Sequence, residues 1–309
     1  MSNPETERDL LRWAAASAHA HDDEDAEIIA VNVIEVPDQT SLAQDMEFEE
    51  ERVQRQQELL DAARDIAADL EVGLRTRAIV GRNAAADILD VIEDEAADHV
   101  VLGWTGSRST REHILGSNID PIVERAPCET TLLKLSTAAD ASTAGSVRDL
   151  YSIEGDDEDV EVVVLAGEGP HAPVAARRAG EFVAASDGQL SLRLLNVQTD
   201  SDDSETDSRE RGEAVIENLA ERAGIEYMNY ETTVLTADES AVRETILDAV
   251  SECDIVSVGA TRTGAVSQAL FGSIPEAIGE HVEGTVVMAR GSEEAPRSIR
   301  DALVERLAT

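Results

Sequence analysis

Gly103-Trp104-Thr105-Gly106 is followed by nine residues and then by Gly116-Ser117-Asn118. The first glycine closes a short apolar run, His99-Val100-Val101-Leu102, and the second group stands directly ahead of a helix-like segment. That combination suits a phosphate. Glycines let the main chain approach an anion closely, and successive N–H groups form an anion-binding nest. A helix N-terminus adds free donors and a partial positive charge. Ser117 can donate its hydroxyl to the anion or cap the helix. Arg108, Arg111 and His113 lie in the loop and can reach a phosphate, but pairing with the chain's many acids, or a plain surface position, accounts for them equally well. Trp104 either shields the loop or packs on it. The bland alternative for the whole pattern is a loop that has lost its ligand and only packs.

Other reactive residues do not converge. His19 and His21 sit two apart at a helix end, where a solvated terminus is the simpler reading than a metal site, and His171 and His281 lack partners in the sequence. The acid runs Asp22–Asp25 and Asp156–Asp159 have no calcium-loop spacing. Cys128 and Cys253 have no CxxC partner and begin apolar runs, so both are expected as buried small hydrophobes. No Ser-His-Asp order, HExxH or Walker lysine occurs, so the chain is not expected to be an enzyme.

The elements that would position the glycine loop alternate helix and strand, which implies an α/β fold with a mostly parallel sheet covered on both faces. In the first half the pattern predicts helix 5–20, strand 27–36, helix 47–68, strand 72–80, helix 84–96, a short buried strand 99–102, a helix around 120–124 that Pro127 ends, and strand 130–135. The second half repeats this order between Val160 and Arg290. Asp98 to Gly103 matches Asp254 to Gly259 at an offset of 156, and Gly116-Ser117 matches Gly272-Ser273 at the same offset. Ile88-Leu89-Asp90 matches Ile246-Leu247-Asp248, and Asn32-Val33 matches Asn196-Val197. Four matches in one order mean a duplicated domain. The expected organisation is a first domain over 1–136, a linker over 137–159, a second domain over 160–291 and a C-terminal helix within 292–309. The stretch 201–211 is acidic and is expected to be disordered.

One element is missing. The second copy opens with Val160-Glu161-Val162-Val163-Val164-Leu165-Ala166, a buried strand with no counterpart in the first. A doubly wound sheet keeps that strand at its centre. The expectation is a truncated start; the alternative is that Val147–Ile153 of the linker fills the gap.

Sixty-five acids against 25 bases give a net charge of −40, and Lys134 is the one lysine. Such a charge repels itself unless salt screens it. The composition resembles that of proteins from a high-salt cytoplasm, so halophilic behaviour and a cytoplasmic location are expected. A chain this acidic lacks the basic face that nucleic acid requires. No apolar run approaches the length of a membrane span.

The spacing G-x2-G-x9-G-S, together with Ala126-Pro127-Cys128 leading into Thr131-Leu132-Leu133, resembles the universal stress protein family, and the repeat resembles its tandem members. The resemblance implies two tandem doubly wound parallel-sheet domains that bind ATP or AMP, with Mg2+ as an accompanying ion, where strands one and four diverge. By position it assigns Gly103, Gly106, Gly116, Ser117 and Asn118 to phosphates and ribose, and places Val33 near the base. In the second copy the corresponding residues are Gly259, Gly272 and Ser273, with Arg262 in place of the second glycine. That arginine either blocks backbone approach or offers a guanidinium. The aspartate usual after strand one is absent: the second copy has Gly167-Glu168-Gly169-Pro170, and the first has Ser2 or Asn3 at that point. The resemblance also implies that the last strands, 130–135 and 284–290, pair into an internal pseudo-dimer, with a further homodimer as an extension. The function it implies is a stress-response sensor or regulator with an unknown protein partner. The alternative is the regulatory domain of a membrane transporter, acting by protein contact without nucleotide. An ATP-pyrophosphatase-type ligase would need SGGxDS or HxGH, and neither occurs.

Overall fold

A computed structural model describes residues 4–21, 26–35, 46–104, 118–135, 160–199, 205–260 and 273–292. The first copy runs α1 (Pro4–His19), β1 (Glu27–Glu35), α2 (Met46–Asp69), β2 (Gly73–Gly81), α3 (Ala84–Asp94), β3 (His99–Trp104), α4 (Ile119–Arg125) and β4 (Glu129–Lys134). The second runs β5 (Val160–Leu165), α5 (Ala172–Ala184), β6 (Leu190–Thr199), α6 (Glu205–Ala223), β7 (Glu231–Ala237), α7 (Val242–Val250), β8 (Ile255–Gly259), α8 (Ser273–His281) and β9 (Thr285–Arg290). The linker 137–159, with Val147–Ile153 in it, and the C-terminal helix expected over 298–307 lie outside the described residues.

Local chemistry accounts for these boundaries. Asn83 caps α3 by accepting the Ala86 N–H at 3.1 Å, which satisfies one of the free donors of the first turn. β5 is a valine run buried on both faces, as a central parallel strand must be. Gly188 and Gly224 take φ of +85° and +70° in the turns after α5 and α6, a region that glycine enters without a Cβ clash.

In copy two the strands lie in the order β9-β8-β5-β6-β7, all parallel. Reading outward from β5, this is a doubly wound sheet whose order reverses between β5 and β8. Val162 and Val164 join α5 and α6 in one core, and Val163 and Leu165 join α7 in the other. Copy one has the same elements with the centre removed. β1 pairs with β2 in a separate two-stranded sheet, and β3 pairs with β4 in the main seven-stranded sheet.

The two copies meet where the resemblance places them. β4 pairs antiparallel with β9, from Thr130 opposite Arg290 to Lys134 opposite Val286, so one sheet runs through both. Lys134, the one lysine, donates from Nζ to the Val282 carbonyl after α8. Arg290, 156 residues later, donates from Nη1 to the Val123 carbonyl in α4. The matched positions reach reciprocally into the opposite copy, as an isologous interface requires. Both tryptophans serve the same junction. Trp13 on α1 stacks on Phe182 on α5, ring centroids 4.0 Å apart and 5° from parallel. Trp104 at the end of β3 packs on α8, where a Cβ added to Gly279 would lie 2.5 Å from its ring.

Two expectations need correction. Residues 205–211 are not disordered: they form the first turns of α6, with Ser208 fully buried and Arg209 paired to Glu213 at 2.9 Å one turn on. An i,i+4 pair and tertiary burial outweigh the acidic composition. β3 is not a buried strand either. His99 to Leu102 are half-buried, whereas the matching Ile255 to Val258 are buried. The difference lies in the neighbour: β8 has β5 beside it and β3 has none among the described residues.

Candidate functional site

The residues singled out for phosphate binding gather at the carboxyl ends of the parallel strands of copy one. Gly103 lies within the last turn of β3 and is exposed; Asn118 stands exposed immediately before α4. Because α4 returns the chain to a strand parallel with β3, its N-terminus opens on the same edge of the sheet. Asn118 makes no capping bond with its side chain, which leaves the amide available. A Cβ added at Gly103 would meet only the Leu10 side chain, at 3.4 Å, so the backbone there is approachable. Val33 pairs with Ile79 and is half-buried near the end of β1. Gly106, Arg108, Arg111, His113, Gly116 and Ser117 lie outside the described residues, as do Ser2 and Asn3.

Copy two differs at the corresponding point. A Cβ on Gly259 would fall 2.6 Å from the backbone of His171 and Ala172, so this glycine lets the start of α5 pack against β8. Ser273 opens α8, while Arg262 and Gly272 lie outside the described residues. Gly167 and Glu168 are exposed after β5.

Electrostatics at this edge are set by α1. Glu7 lies three residues ahead of Leu10, hence on the same helix face. It is 2% exposed, and burial raises its carboxyl pKa above the usual range, favouring the neutral form.

The histidines, expected without partners, have them. His171 is buried and its Nδ1 accepts the Gly291 N–H at 3.1 Å, tying the start of α5 to the end of β9. His281 Nδ1 lies 2.8 Å from the Ala277 carbonyl one turn back. Cys128 is buried as expected, and burial pushes its thiol up to about 11. Cys253 is only half-buried, with Arg193 Nη2 3.7 Å from its sulfur. Trp104 neither shields the loop nor packs on it; it sits in the core of copy two.

The most developed polar cluster was not legible in the motifs. Glu129 on β4 receives Arg177 and Arg178 of α5, the latter at 2.6 Å, and Arg178 also reaches Glu181 at 2.7 Å and Ser17 Oγ at 2.5 Å. Ser17 Oγ is 3.1 Å from His99 Nδ1, and His99 Nε2 is 2.8 Å from Thr131 Oγ1. Burial alone would raise the Glu129 pKa, but the hydrogen bond from Arg177 and the charges of both arginines hold it below the usual carboxylate range. Burial raises Glu181 despite Arg178. Burial, reinforced by the charges of Arg178 and Arg177, holds His99 well below 6.5. The network joins the copies and contains no cleft for a substrate. One signal was available in the sequence: Lys134 and Arg290 are basic residues at repeat-matched positions. Among the described residues no group of three metal-ligating side chains occurs, and no helix is long and apolar enough to cross a membrane.

Comparison with family models matches the Universal stress protein family over residues 1–134 and 161–290. Among solved structures, a universal stress protein from Archaeoglobus fulgidus DSM 4304 is similar at 16% identity and a TM-score of 0.56, covering 93% of this chain and 94% of that one. The cytoplasmic domain of a prokaryotic cation chloride cotransporter is similar at 11% identity and a TM-score of 0.53, covering 95% and 94%. No curated protein matches.

Proposed function

The chain belongs to the universal stress protein family, and from that premise we propose that it is a tandem sensor or regulator whose first domain holds an adenine nucleotide, ATP or AMP. Exposed Gly103, at the end of β3 and facing only a flexible leucine, supports this reading most directly. A phosphate there would take main-chain N–H donors and the start of α4, with Asn118 beside it and Gly106, Gly116 and Ser117 completing the loop. Val33 would border the base, and Mg2+ would accompany the phosphates. The protein acts by binding rather than catalysis. Copy two is the degenerate partner: Gly259 is used for helix packing, and Arg262 replaces the second glycine.

A second reading is regulation by protein contact without nucleotide, as the cytosolic part of a transporter. It draws on the fold shared with the cotransporter domain, a likeness of fold alone at 11% identity.

Calorimetry in high salt separates the two. Heat with ATP, ADP or AMP that Gly116→Val abolishes and Gly272→Val leaves intact supports the first domain as the site. No heat at protein concentrations above a micromolar dissociation constant rejects the nucleotide and leaves protein contact.

A further inference from the structure

Copy two shows what lies between the strands that correspond to β1 and β3. There β5 sits between β6 and β8 and pairs parallel with both. In copy one, among the described residues, neither β1 nor β3 has a strand on its inner edge. The two covers of that position are nevertheless in place. α1 touches both β1 and β3. On the other face α3 touches β1 and packs with Val100 and Leu102 of β3 through a core containing Ala85, Leu89 and Ile92.

Two observations mark the space between β1 and β3 as an unfilled slot. The first is the half-burial of β3 where β8 is buried. The second is Asn32. It is 1% exposed, yet neither its Nδ2 nor its Oδ1 has a hydrogen-bond partner. The repeat-matched Asn196 donates from Nδ2 to the Ala166 carbonyl at 2.6 Å, and Ala166 is the residue directly after β5. A buried amide without partners costs about 1–3 kcal/mol, so the position retains a group whose acceptor a strand in the slot would supply.

We propose that the slot is a binding site for one added β-strand, an extended apolar segment of a partner polypeptide running parallel to β1 and β3. Its chemistry follows from β5. Both faces are covered, so its central residues are apolar and β-branched, and the carbonyl at its C-terminal end accepts from Asn32. Strand addition usually satisfies one edge; here it satisfies two. Residues 147–153 of this chain do not fit, because Arg148 and Asp149 would carry charge into the two-sided interior. Residues 298–307 have helical spacing. The inference does not rest on the nucleotide reading.

The test titrates the full chain with a synthetic heptapeptide of the sequence Val160–Ala166 and follows amide hydrogen exchange. Amides of β1 and β3 slow at least about tenfold while those of β6 and β8 stay unchanged, and the same peptide with a central proline protects neither strand. Asn32→Ala weakens peptide binding about tenfold, the worth of one hydrogen bond. Unchanged exchange on β1 and β3, or equal protection by the proline peptide, overturns the proposal. So does a chain lacking residues 147–153 whose β1 and β3 exchange at least about tenfold faster than the intact chain's, because the linker would then be the occupant.

Discussion

Trp13→Ala removes the ring that joins α1 of copy one to α5 of copy two. Trp13 is 3% exposed and Phe182 is fully buried, with the rings stacked at 4.0 Å. Truncating a buried aromatic to alanine costs about 3–5 kcal/mol. Against this, the indole Nε1 is buried without a partner, and its removal relieves about 1–3 kcal/mol of desolvation. The expected net loss is about 2–4 kcal/mol. Trp13→Phe keeps the stack and sheds the unpaired donor, so it should lie within about 1 kcal/mol of the parent. The assay is urea unfolding in molar potassium chloride, followed by circular dichroism and extrapolated linearly. A cycle of Trp13→Leu, Phe182→Leu and the double variant isolates the stack itself, with an expected coupling of about 1 kcal/mol. A Trp13→Ala loss below about 1 kcal/mol, or a coupling indistinguishable from zero, would refute the view that this aromatic pair holds the copies together.

Two further predictions concern charge. His99 is held neutral in the fold, well below 6.5, while the unfolded chain binds a proton there, so the unfolded state carries more protons below that value. Stability should therefore fall as pH drops from about 6.5 toward the lower folded value, and His99→Gln should flatten that part of a Tm-against-pH curve; an unaltered slope would show that His99 does not contribute it. The net charge of −40 predicts loss of structure on dialysis to low salt, where screening extends over about 30 Å rather than about 3 Å. An unchanged Tm across that dialysis would rule out salt-dependent folding.

Alternating elements, the tandem repeat and the glycine signature were legible in the sequence because each is local. A strand such as Val160–Leu165 carries its valine run, and a helix such as Ala84–Asp94 carries its Asn83 cap, within a few residues. The absent strand was legible too, because copy two supplied the comparison. The acidic stretch 201–211 misled because composition says nothing about Ser208 being buried against the rest of the fold.

Other properties arise only when distant segments meet. Nothing near Trp104 in the chain announces Gly279, and nothing near Asn32 announces that its amide is buried without a partner. The antiparallel pairing of β4 with β9 brings Lys134 to Val282 and Arg290 to Val123, across 148 and 167 residues of chain. A sequence specifies which residues will be apolar, basic or small. Which of them face one another depends on the fold's pseudo-twofold arrangement, so the fold and the glycine loop belong to the sequence, while the interface and the strand slot belong to the tertiary structure.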